Sequence, residues 1–273
     1  MTLTAGDFEY VRALVRKDSA IELDSTQGYL VDSRLSGLAR ELGMPSLTAL
    51  FEKLRAPGSA DLMRRVVERM TTNETSFFRD PHYYDALRTI VLPNLVAARQ
   101  RERKLSIWSA AASSGQEIYS IAMTVDEVRP PLDGWYVRLL ATDLCESMLA
   151  RCRDGKYRQL EVARGLGAPQ LVKFFERDGA DWQLKKRLRD MVEFKVMNLA
   201  EPWPPVASMD LIFLRNVLIY FSVETKKKIL ANVRQVLRPD GWLVLGSTES
   251  TFGIDDRFER HEIAKAIFYR PKP

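Results

Sequence analysis

The sequence contains few of the residues that hold metals or build covalent catalytic centres. Its 273 residues include two cysteines and two histidines. Cys145 and Cys152 lie in one predicted helix and outside any Cys-x-x-Cys pair, so we expect neither a disulfide between them nor a structural zinc site. With His82 and His261 as the only histidines, a histidine-rich metal site is excluded and a Ser-His-Asp triad has few candidates. We therefore expect chemistry that uses neither a metal ion nor a covalent nucleophile.

Long apolar runs are also missing. No stretch approaches the roughly 18 residues that a membrane-spanning helix needs. The first residues lack the basic start and the apolar segment of a signal peptide. These absences predict a cytoplasmic protein without membrane insertion. The apolar fraction of 46% and the charged fraction of 28% are ordinary for a globular chain, and the length allows two domains.

The net charge is small for a protein of this size. A formal charge of +5 could favour an acidic partner but does not require nucleic acid. Residues 1–70 contain ten basic and ten acidic side chains, so the surplus lies later. The basic runs are residues 99–104, 151–158, 185–189 and 226–228. Taken singly, each run is most simply interpreted as a solvated face.

The first 70 residues have the periodicity of a small helical domain. Apolar residues recur at helical spacing in four segments, and Thr4, Ser46 and Ser59 are placed to begin three of them. The polar, partly β-branched segment 71–76 then predicts a linker. Asp80-Pro81 is typical of the N-cap and first position of a helix, here running to about residue 100. We predict a helical domain over residues 1–70 and a second domain over residues 71–273.

Predicted strands and helices alternate from residue 105 onward. The predicted strands are 105–108, 135–141, 192–196, 209–214, 242–246 and 263–270, with helices at 117–128, from about 147, and at 222–237. Pro239-Asp240-Gly241 predicts a turn before the fifth strand. The alternation indicates a parallel sheet wound by helices, a Rossmann-like α/β domain. The basic segment 180–194 interrupts it and predicts a small β-hairpin subdomain at about 176–194.

The loop after the first predicted strand consists only of serine, alanine and glycine. Small residues allow a ligand to approach the backbone, and the following helix offers free N–H groups. A tight strand-to-helix connection explains the composition equally well. The loop is not Gly-x-Gly-x-x-Gly, which counts against a nicotinamide enzyme.

Polar side chains follow several strands at the edge where α/β folds bind ligands. Asp143 ends the second strand, where a carboxylate accepts hydrogen bonds from ribose hydroxyls, although helix capping is an alternative role. Glu117 is a second carboxylate that would favour a cationic ligand group. Arg215 and Asn216 end the buried strand. Asn198 follows the third predicted strand, and its alternative role is that of a turn residue. Together with the small-residue loop, these positions favour a nucleoside ligand.

Four motifs in order resemble the CheR family, the chemotaxis receptor methyltransferases, and the similarity covers nearly the whole chain. They are Thr-Asn-Glu-Thr-Ser-Phe-Phe-Arg at 72–79, Trp-Ser-Ala-Ala-Ala-Ser-Ser-Gly-Gln-Glu-Ile-Tyr-Ser at 108–120, Ala-Thr-Asp at 141–143 and Arg-Asn-Val-Leu-Ile-Tyr-Phe at 215–221. The family usually has Glu-Glu-Pro where this chain has Gln-Glu-Ile at 116–118. Because the second carboxylate is kept, we expect cofactor binding to survive.

The resemblance implies methyl transfer from S-adenosylmethionine to glutamate side chains on the cytoplasmic helices of chemotaxis receptors, with S-adenosylhomocysteine as the second product. It places Arg79 and Tyr220 near the reacting centre. The cofactor contacts that it implies are Asn73, Thr75, Arg79, Glu117, Asp143, Asn198, Leu199, Arg215 and Asn216.

The resemblance also bears on substrate docking. The family's substrate helices are acidic, so Arg64, Arg65 and Arg69 on the helix at 59–70 could steer them in, although a solvated face explains the same residues nearly as well. Some members grip a receptor C-terminal pentapeptide through a β-subdomain. The matching hairpin here is a few residues shorter, so we expect little or no affinity for such a peptide.

Two other functions fit parts of the pattern. A nucleic-acid methyltransferase would agree with the basic runs, but such enzymes usually carry Asp/Asn-Pro-Pro-aromatic after the buried strand, where this chain has Arg-Asn-Val-Leu at 215–218. A binding module that senses the cofactor without turnover is the second alternative. Retention of both Arg79 and Tyr220 disfavours it.

Overall fold

The computed structural model describes residues 3–129 and 131–273. The chain forms two compact units, Met1–Thr72 with Tyr220–Thr225, and Asn73–Ile219 with Lys226–Pro273. The first unit ends two residues after the predicted boundary at residue 70. It also includes the short segment Tyr220–Thr225, which the sequence pattern assigns to the second domain. In the described part of the chain, no helix combines the length and the apolar character needed to cross a membrane.

The first unit contains the four predicted helices: α1 Ala5–Ser19, α2 Gly28–Glu41, α3 Leu47–Arg55 and α4 Ala60–Met70. Thr4 and Ser46 cap two of them, because their hydroxyls accept the amides of Asp7 at 3.1 Å and Ala49 at 3.2 Å. Ser59 precedes α4 without capping it, and its hydroxyl donates to the Leu54 carbonyl instead.

Arg34 fixes the C-terminal end of α4. Its Nη1 donates to the carbonyls of Met70 at 2.6 Å and Thr71 at 3.0 Å. Carbonyls at the C-terminal end of a helix have no N–H partner from a following turn. The segment Tyr220–Thr225 joins this unit through its backbone. The amide of Glu22 donates to the Tyr220 carbonyl at 3.0 Å, and Ile21 forms an antiparallel bridge with Phe221.

The second unit is built on a seven-stranded sheet. Its strands outside the small subdomain are β1 Lys104–Ser109, β2 Tyr136–Asp143, β6 Val192–Val196, β7 Met209–Leu214, β8 Leu237–Leu245, β9 Phe258–Ile263 and β10 Ala266–Pro271. They lie in the order β6-β2-β1-β7-β8-β10-β9. The first five in this order pair in parallel, and β9 and β10 are antiparallel. The predicted Rossmann-like fold is confirmed.

The helices of the second unit follow the expected alternation. They are α5 Pro81–Ala86, α6 Leu92–Ala98, α7 Gln116–Asp126, α8 Glu146–Asp154, α9 Gln159–Ala163, α10 Ala168–Phe174, α11 Lys186–Arg189 and α12 Val223–Val236, the last beginning in the segment that groups with the first unit. A single wide turn at Leu87–Val91 joins α5 to α6, so the predicted helix from Pro81 to about residue 100 is continuous.

The centre of this sheet is a topological switch point. β1 lies between β2 and β7, and Ser109 at its end is paired with Ala141 on one side and Phe213 on the other. The chain leaves β1 toward β2 and leaves the adjacent β7 toward β8, in opposite directions, which opens a crevice at the carboxyl edge of the sheet. Asp143 lies two residues after Ala141, and Arg215 lies two residues after Phe213, so both flank the loop that leaves β1.

Two predictions for the end of the chain are wrong. Residues 263–270 form parts of two strands, β9 and β10, because Ala264 and Lys265 both have positive φ and reverse the chain tightly. Pro239-Asp240-Gly241 lies within β8 rather than in a turn before it. An irregularity in the β7–β8 pairing between Met209 and Leu211 accommodates these residues.

The small β-subdomain is a three-stranded antiparallel sheet. Its hairpin is β4 Phe175–Asp178 with β5 Asp181–Leu184, and β3 Lys156–Arg158 pairs with the other edge of β5. The predicted hairpin start of about 176 agrees with Phe175, but the predicted end at 194 is wrong, and the subdomain also contains a strand outside these bounds. The third strand comes from before α9, and residues 192–194 belong to β6 of the main sheet because they pair with β2.

A buried ion cluster connects α6 to the sheet. Arg99 is 5% exposed, and its Nε donates to the fully buried carboxylate of Asp210 at 2.7 Å. Its Nη1 and Nη2 bind both oxygens of Asp240 at 2.8 and 2.5 Å. The second oxygen of Asp210 accepts the Ser106 amide at 2.8 Å, so one carboxylate holds the start of β1 and the end of the helical segment.

Arg99→Ala is expected to lower the free energy of unfolding by about 3–5 kcal/mol, because it leaves the buried Asp210 charge without its closest cation. Chemical denaturation checks this. Arg101→Ala, at an exposed position on the same basic stretch, is the matched control and is expected to change stability by less than about 0.5 kcal/mol. Equal, small effects from both variants would contradict the interpretation.

Candidate active site

The loop after β1 is held in a conformation that only particular residues tolerate. Gly115 has φ of +97°, and a Cβ there would lie 2.2 Å from Cys152 Sγ. Ser113 also has positive φ, at +49°. The Tyr157 hydroxyl donates to the Ser114 carbonyl at 2.8 Å from the base of the β-subdomain. The small-residue composition therefore reflects tight packing beneath the loop.

Asp143 anchors this loop. Its two carboxylate oxygens accept the amides of Ser113 at 2.7 Å and Cys145 at 2.9 Å, so both the loop after β1 and the start of α8 are tied to one side chain. The side chain is buried, and burial raises the pKa of Asp143 while the two backbone N–H bonds oppose the rise. No ion pair of Asp143 occurs among residues 3–129 and 131–273. Each oxygen keeps lone-pair capacity for a further donor.

The linker motif packs against the same loop. The Ser113 hydroxyl donates to the Asn73 carbonyl at 2.9 Å, and the Phe78 amide donates to the Ser120 hydroxyl at 2.9 Å. Gly165 lies against the linker so closely that a Cβ would be 1.8 Å from the Phe77 carbonyl oxygen. Residues 73–78 are therefore fixed beside the loop and the first helix of the sheet domain.

Arg215 is the most buried charge of the site. Its side chain is 1% exposed and lies between two carboxylates, with Nη2 2.5 Å from Asp80 Oδ2 and Nη1 3.2 Å from Glu117 Oε2. The guanidinium also stacks over the Tyr83 ring at 4.8 Å. Its Nε is buried without a hydrogen-bond partner in the described chain.

Glu117 is less available than the sequence suggested. Its Oε1 accepts the Ser109 hydroxyl at 2.8 Å while Oε2 pairs with Arg215. Burial raises the pKa of Glu117, and the Arg215 charge, the Ser109 hydroxyl and the Arg79 charge oppose that rise. The carboxylate is thus the centre of a hydrogen-bonded cluster that spans β1, α7 and the end of β7.

Asp80 lies at the predicted N-cap position before Pro81, but it does not cap the helix with its side chain. Asp80 has a left-handed backbone, with φ of +58°, and its side chain makes no capping bond. Its carboxylate turns to Arg215 instead, because a buried guanidinium offers a stronger interaction than an exposed amide. Sequence reasoning missed this role, and the only signal for it was an acidic residue directly after Phe77-Phe78-Arg79.

The other predicted contacts are spread around this cluster. Asn198 accepts the Ala200 amide at 3.0 Å, which is the turn role left open by the sequence, and the buried Leu199 follows it. Asn216 has φ of +56° and is half-buried at the end of β7. Thr75 and Arg79 are half-buried in the linker, where Arg79 Nη1 donates to the Glu74 carbonyl at 3.2 Å.

Tyr220 belongs to the segment that groups with the helical unit, where its carbonyl accepts the Glu22 amide. Its predicted place near the reacting centre stays a prediction, as do the individual cofactor contacts.

The residues at the switch point fit a nucleoside ligand with a cationic group. Two buried carboxylates, Asp143 and Glu117, flank a loop whose residues carry no long side chain. Burial raises the pKa of both carboxylates, so a bound cation or hydroxyl donor would stabilise the ionised form. The unpartnered Arg215 Nε is a remaining donor in the same cluster.

A Rossmann-like sheet with buried carboxylates at its switch point defines a nucleotide-type binding domain, and comparison with known proteins gives its class. A model of the CheR methyltransferase S-adenosylmethionine-binding domain matches residues 73–267, and a model of the CheR methyltransferase all-alpha domain matches residues 6–80. The chain therefore belongs to the CheR methyltransferase family. It is an S-adenosylmethionine-dependent methyltransferase, as the resemblance predicted.

Relatives match along nearly the full chain. Chemotaxis protein methyltransferase Cher2 of Pseudomonas putida is 38% identical over 97% of this chain and 98% of its own length. Chemotaxis protein methyltransferase 1 of Pseudomonas aeruginosa is 39% identical over 100% of both chains. Chemotaxis protein methyltransferase 1 of Vibrio cholerae is 39% identical over 99% of both.

Asp143→Ala is expected to weaken the binding of S-adenosylhomocysteine by about 1–3 kcal/mol, because two backbone amides and the predicted ribose contact would lose their acceptor. Calorimetric titration measures this. Asp133→Ala, at an exposed carboxylate in a loop of the same unit, is the control and should bind normally. Unchanged affinity in Asp143→Ala would refute the assignment.

Proposed function

We propose that this enzyme transfers the methyl group of S-adenosylmethionine to glutamate side chains on the cytoplasmic helices of chemotaxis receptors, forming glutamyl methyl esters and S-adenosylhomocysteine. The family membership and the full-length match to chemotaxis protein methyltransferases support this substrate class. The observation that carries it is the buried Asp80–Arg215–Glu117 cluster, which joins two of the family motifs and the residue directly after a third at the switch point of the sheet.

The proposed cofactor contacts surround that cluster. They are Asn73, Thr75, Arg79, Glu117, Asp143, Asn198, Leu199, Arg215 and Asn216. S-adenosylmethionine supplies an electrophilic methyl group on a positively charged sulfur. Asp143 would receive the ribose hydroxyls, and Glu117 with Arg215 would present matched charges to the amino-acid end of the cofactor.

The proposed reaction needs little proton chemistry from the protein. A glutamate carboxylate has a pKa of roughly 4.3 and is already ionised at neutral pH, so it requires no general base and no metal ion. The enzyme's task is to orient the reacting groups. Arg79 suits this role because its guanidinium stays charged and aligns a carboxylate by two parallel bonds. Tyr220 is the second proposed positioning group, through its hydroxyl.

We propose that receptor helices approach the basic side of α4. Their acidic glutamates complement Arg64, Arg65 and Arg69. Two of these arginines are already paired within the helical unit, Arg64 with Asp61 and Glu68, and Arg69 with Glu41. Arg65 is therefore the residue on which we expect the attraction to depend most.

Capture of a receptor C-terminal pentapeptide is not part of the proposed function. The edge that such a peptide would extend belongs to a small sheet with strands of three and four residues. Short edges of this kind offer few backbone pairing groups. We therefore expect substrate recognition to depend on the receptor helices and not on a tether, and we propose no nucleic-acid partner.

The label that this enzyme transfers from methyl-labelled S-adenosylmethionine to receptor is expected to become volatile in mild alkali. Methyl esters release methanol under those conditions, whereas N-methyl groups on lysine, arginine or nucleobases do not. Trapping of volatile label after alkaline treatment checks this, and a lysine-methylated protein serves as the base-stable control. A base-stable label on the receptor would overturn the proposed reaction.

Arg79→Ala is expected to lower kcat by about 100-fold, because the substrate carboxylate would lose its alignment. Arg79→Lys keeps the charge without the paired donors and should recover only part of the loss. Tyr220→Phe should lose some turnover and keep cofactor affinity. Steady-state kinetics at saturating cofactor test these expectations. If saturating cofactor restored the turnover of Arg79→Ala, Arg79 would act on the cofactor and not on the substrate.

A further inference from the structure

Glu249 binds an unusual number of backbone amides with one carboxylate. It ends a tight turn after β8, in which its own amide donates to the Gly246 carbonyl at 2.9 Å. Its Oε2 accepts the amides of Asn216 at 2.7 Å and Gly246 at 2.7 Å. Its Oε1 accepts the amides of Val217 at 3.0 Å and Ile219 at 3.2 Å. Four N–H groups therefore converge on a single side chain.

Three of these donors, the amides of Asn216, Val217 and Ile219, lie in the segment that follows β7. Asn216 has φ of +56°, and a left-handed residue after a strand turns successive N–H groups toward one point, which creates a small anion-binding concavity. Segment 215–217 is neither helix nor strand, so its amides depend on an acceptor from elsewhere. Glu249, in the turn after the neighbouring strand β8, supplies that acceptor.

The two segments are packed at backbone distance. β7 and β8 are in register at Leu214 and Leu245, so Arg215 and Gly246 leave the sheet side by side. A Cβ on Gly246 would lie 2.7 Å from Asn216 Nδ2 and 2.9 Å from the Asn216 amide nitrogen. The glycine is needed there for Asn216 to reach the Glu249 carboxylate.

The geometry points to Glu249 as a positioning residue of the active site. By fixing the backbone at Asn216 and Val217, it sets the direction in which Asn216 leaves β7 and holds the residue next to Arg215. Arg215 cannot shift to compensate for a change in this backbone, because its side chain is buried between Asp80 and Glu117. The inference rests on the proposed cofactor role of Arg215 and Asn216.

The test compares three variants of the full-length protein. Glu249→Gln keeps the shape but replaces one accepting oxygen with an amide that faces N–H donors. Glu249→Asp keeps the charge but is one methylene shorter, so it cannot reach all four amides. Glu176→Gln is the control, at an exposed glutamate on β4 for which the described chain shows no ion pair. Affinity for S-adenosylhomocysteine and site-resolved amide hydrogen exchange are measured for each.

We expect Glu249→Gln to bind S-adenosylhomocysteine at least about tenfold more weakly, with faster exchange confined to Asn216, Val217, Ile219 and Gly246. Glu249→Asp should show a smaller change in the same direction, and the control none. Unchanged affinity in a folded Glu249→Gln protein would overturn the proposal. So would faster exchange spread through β7 and β8, which marks a general stabilising role. If Glu249→Gln does not fold, the same two readouts on Glu249→Asp decide.

These measurements involve no receptor. If the wild-type enzyme bound the cofactor but failed to esterify receptor glutamates, the proposed function would fail while the role of Glu249 could still be established.

Discussion

The active site depends on one buried guanidinium. Arg215 follows β7, and its charge is balanced by Asp80 at the start of α5 and by Glu117 in α7. A desolvated arginine is costly unless its charge and its N–H groups are satisfied. The three segments that carry these residues must therefore adopt mutually compatible positions, which is how residues far apart in sequence become one site.

The same constraint explains the electrostatics of the site. Burial alone would favour the neutral form of Glu117, and the adjacent Arg215 charge opposes that effect. The result is a carboxylate held in a dry cluster with a defined hydrogen-bond direction toward Ser109. Such fixed charges need no reorganisation when a charged ligand arrives, which is the main electrostatic advantage of a folded site over water.

Carboxylates also organise the backbone of the sheet domain away from Arg215. Asp210 holds the start of β1, Asp143 holds the loop at its end, and Glu249 holds the segment after β7. In each case an anionic acceptor satisfies amides that the sheet leaves unpaired. Charge-assisted bonds of this kind are about twice as strong as neutral ones. They fix loop conformations that composition alone leaves open.

The helical first part, the parallel sheet and the family could be predicted before any fold was known, because they follow from local periodicity and from motifs that lie within short windows. The sequence also located Asp143, Arg215 and Asn216 at strand ends, since alternation of strands and helices sets where each strand stops. Which side chains these residues pair with depends on the folded chain. Asp80 looks like a helix cap in sequence and is an ion-pair partner in the fold, and Glu249 carried no sequence signal beyond following a strand. Both roles depend on strand order and backbone dihedrals, which are set by packing between distant segments.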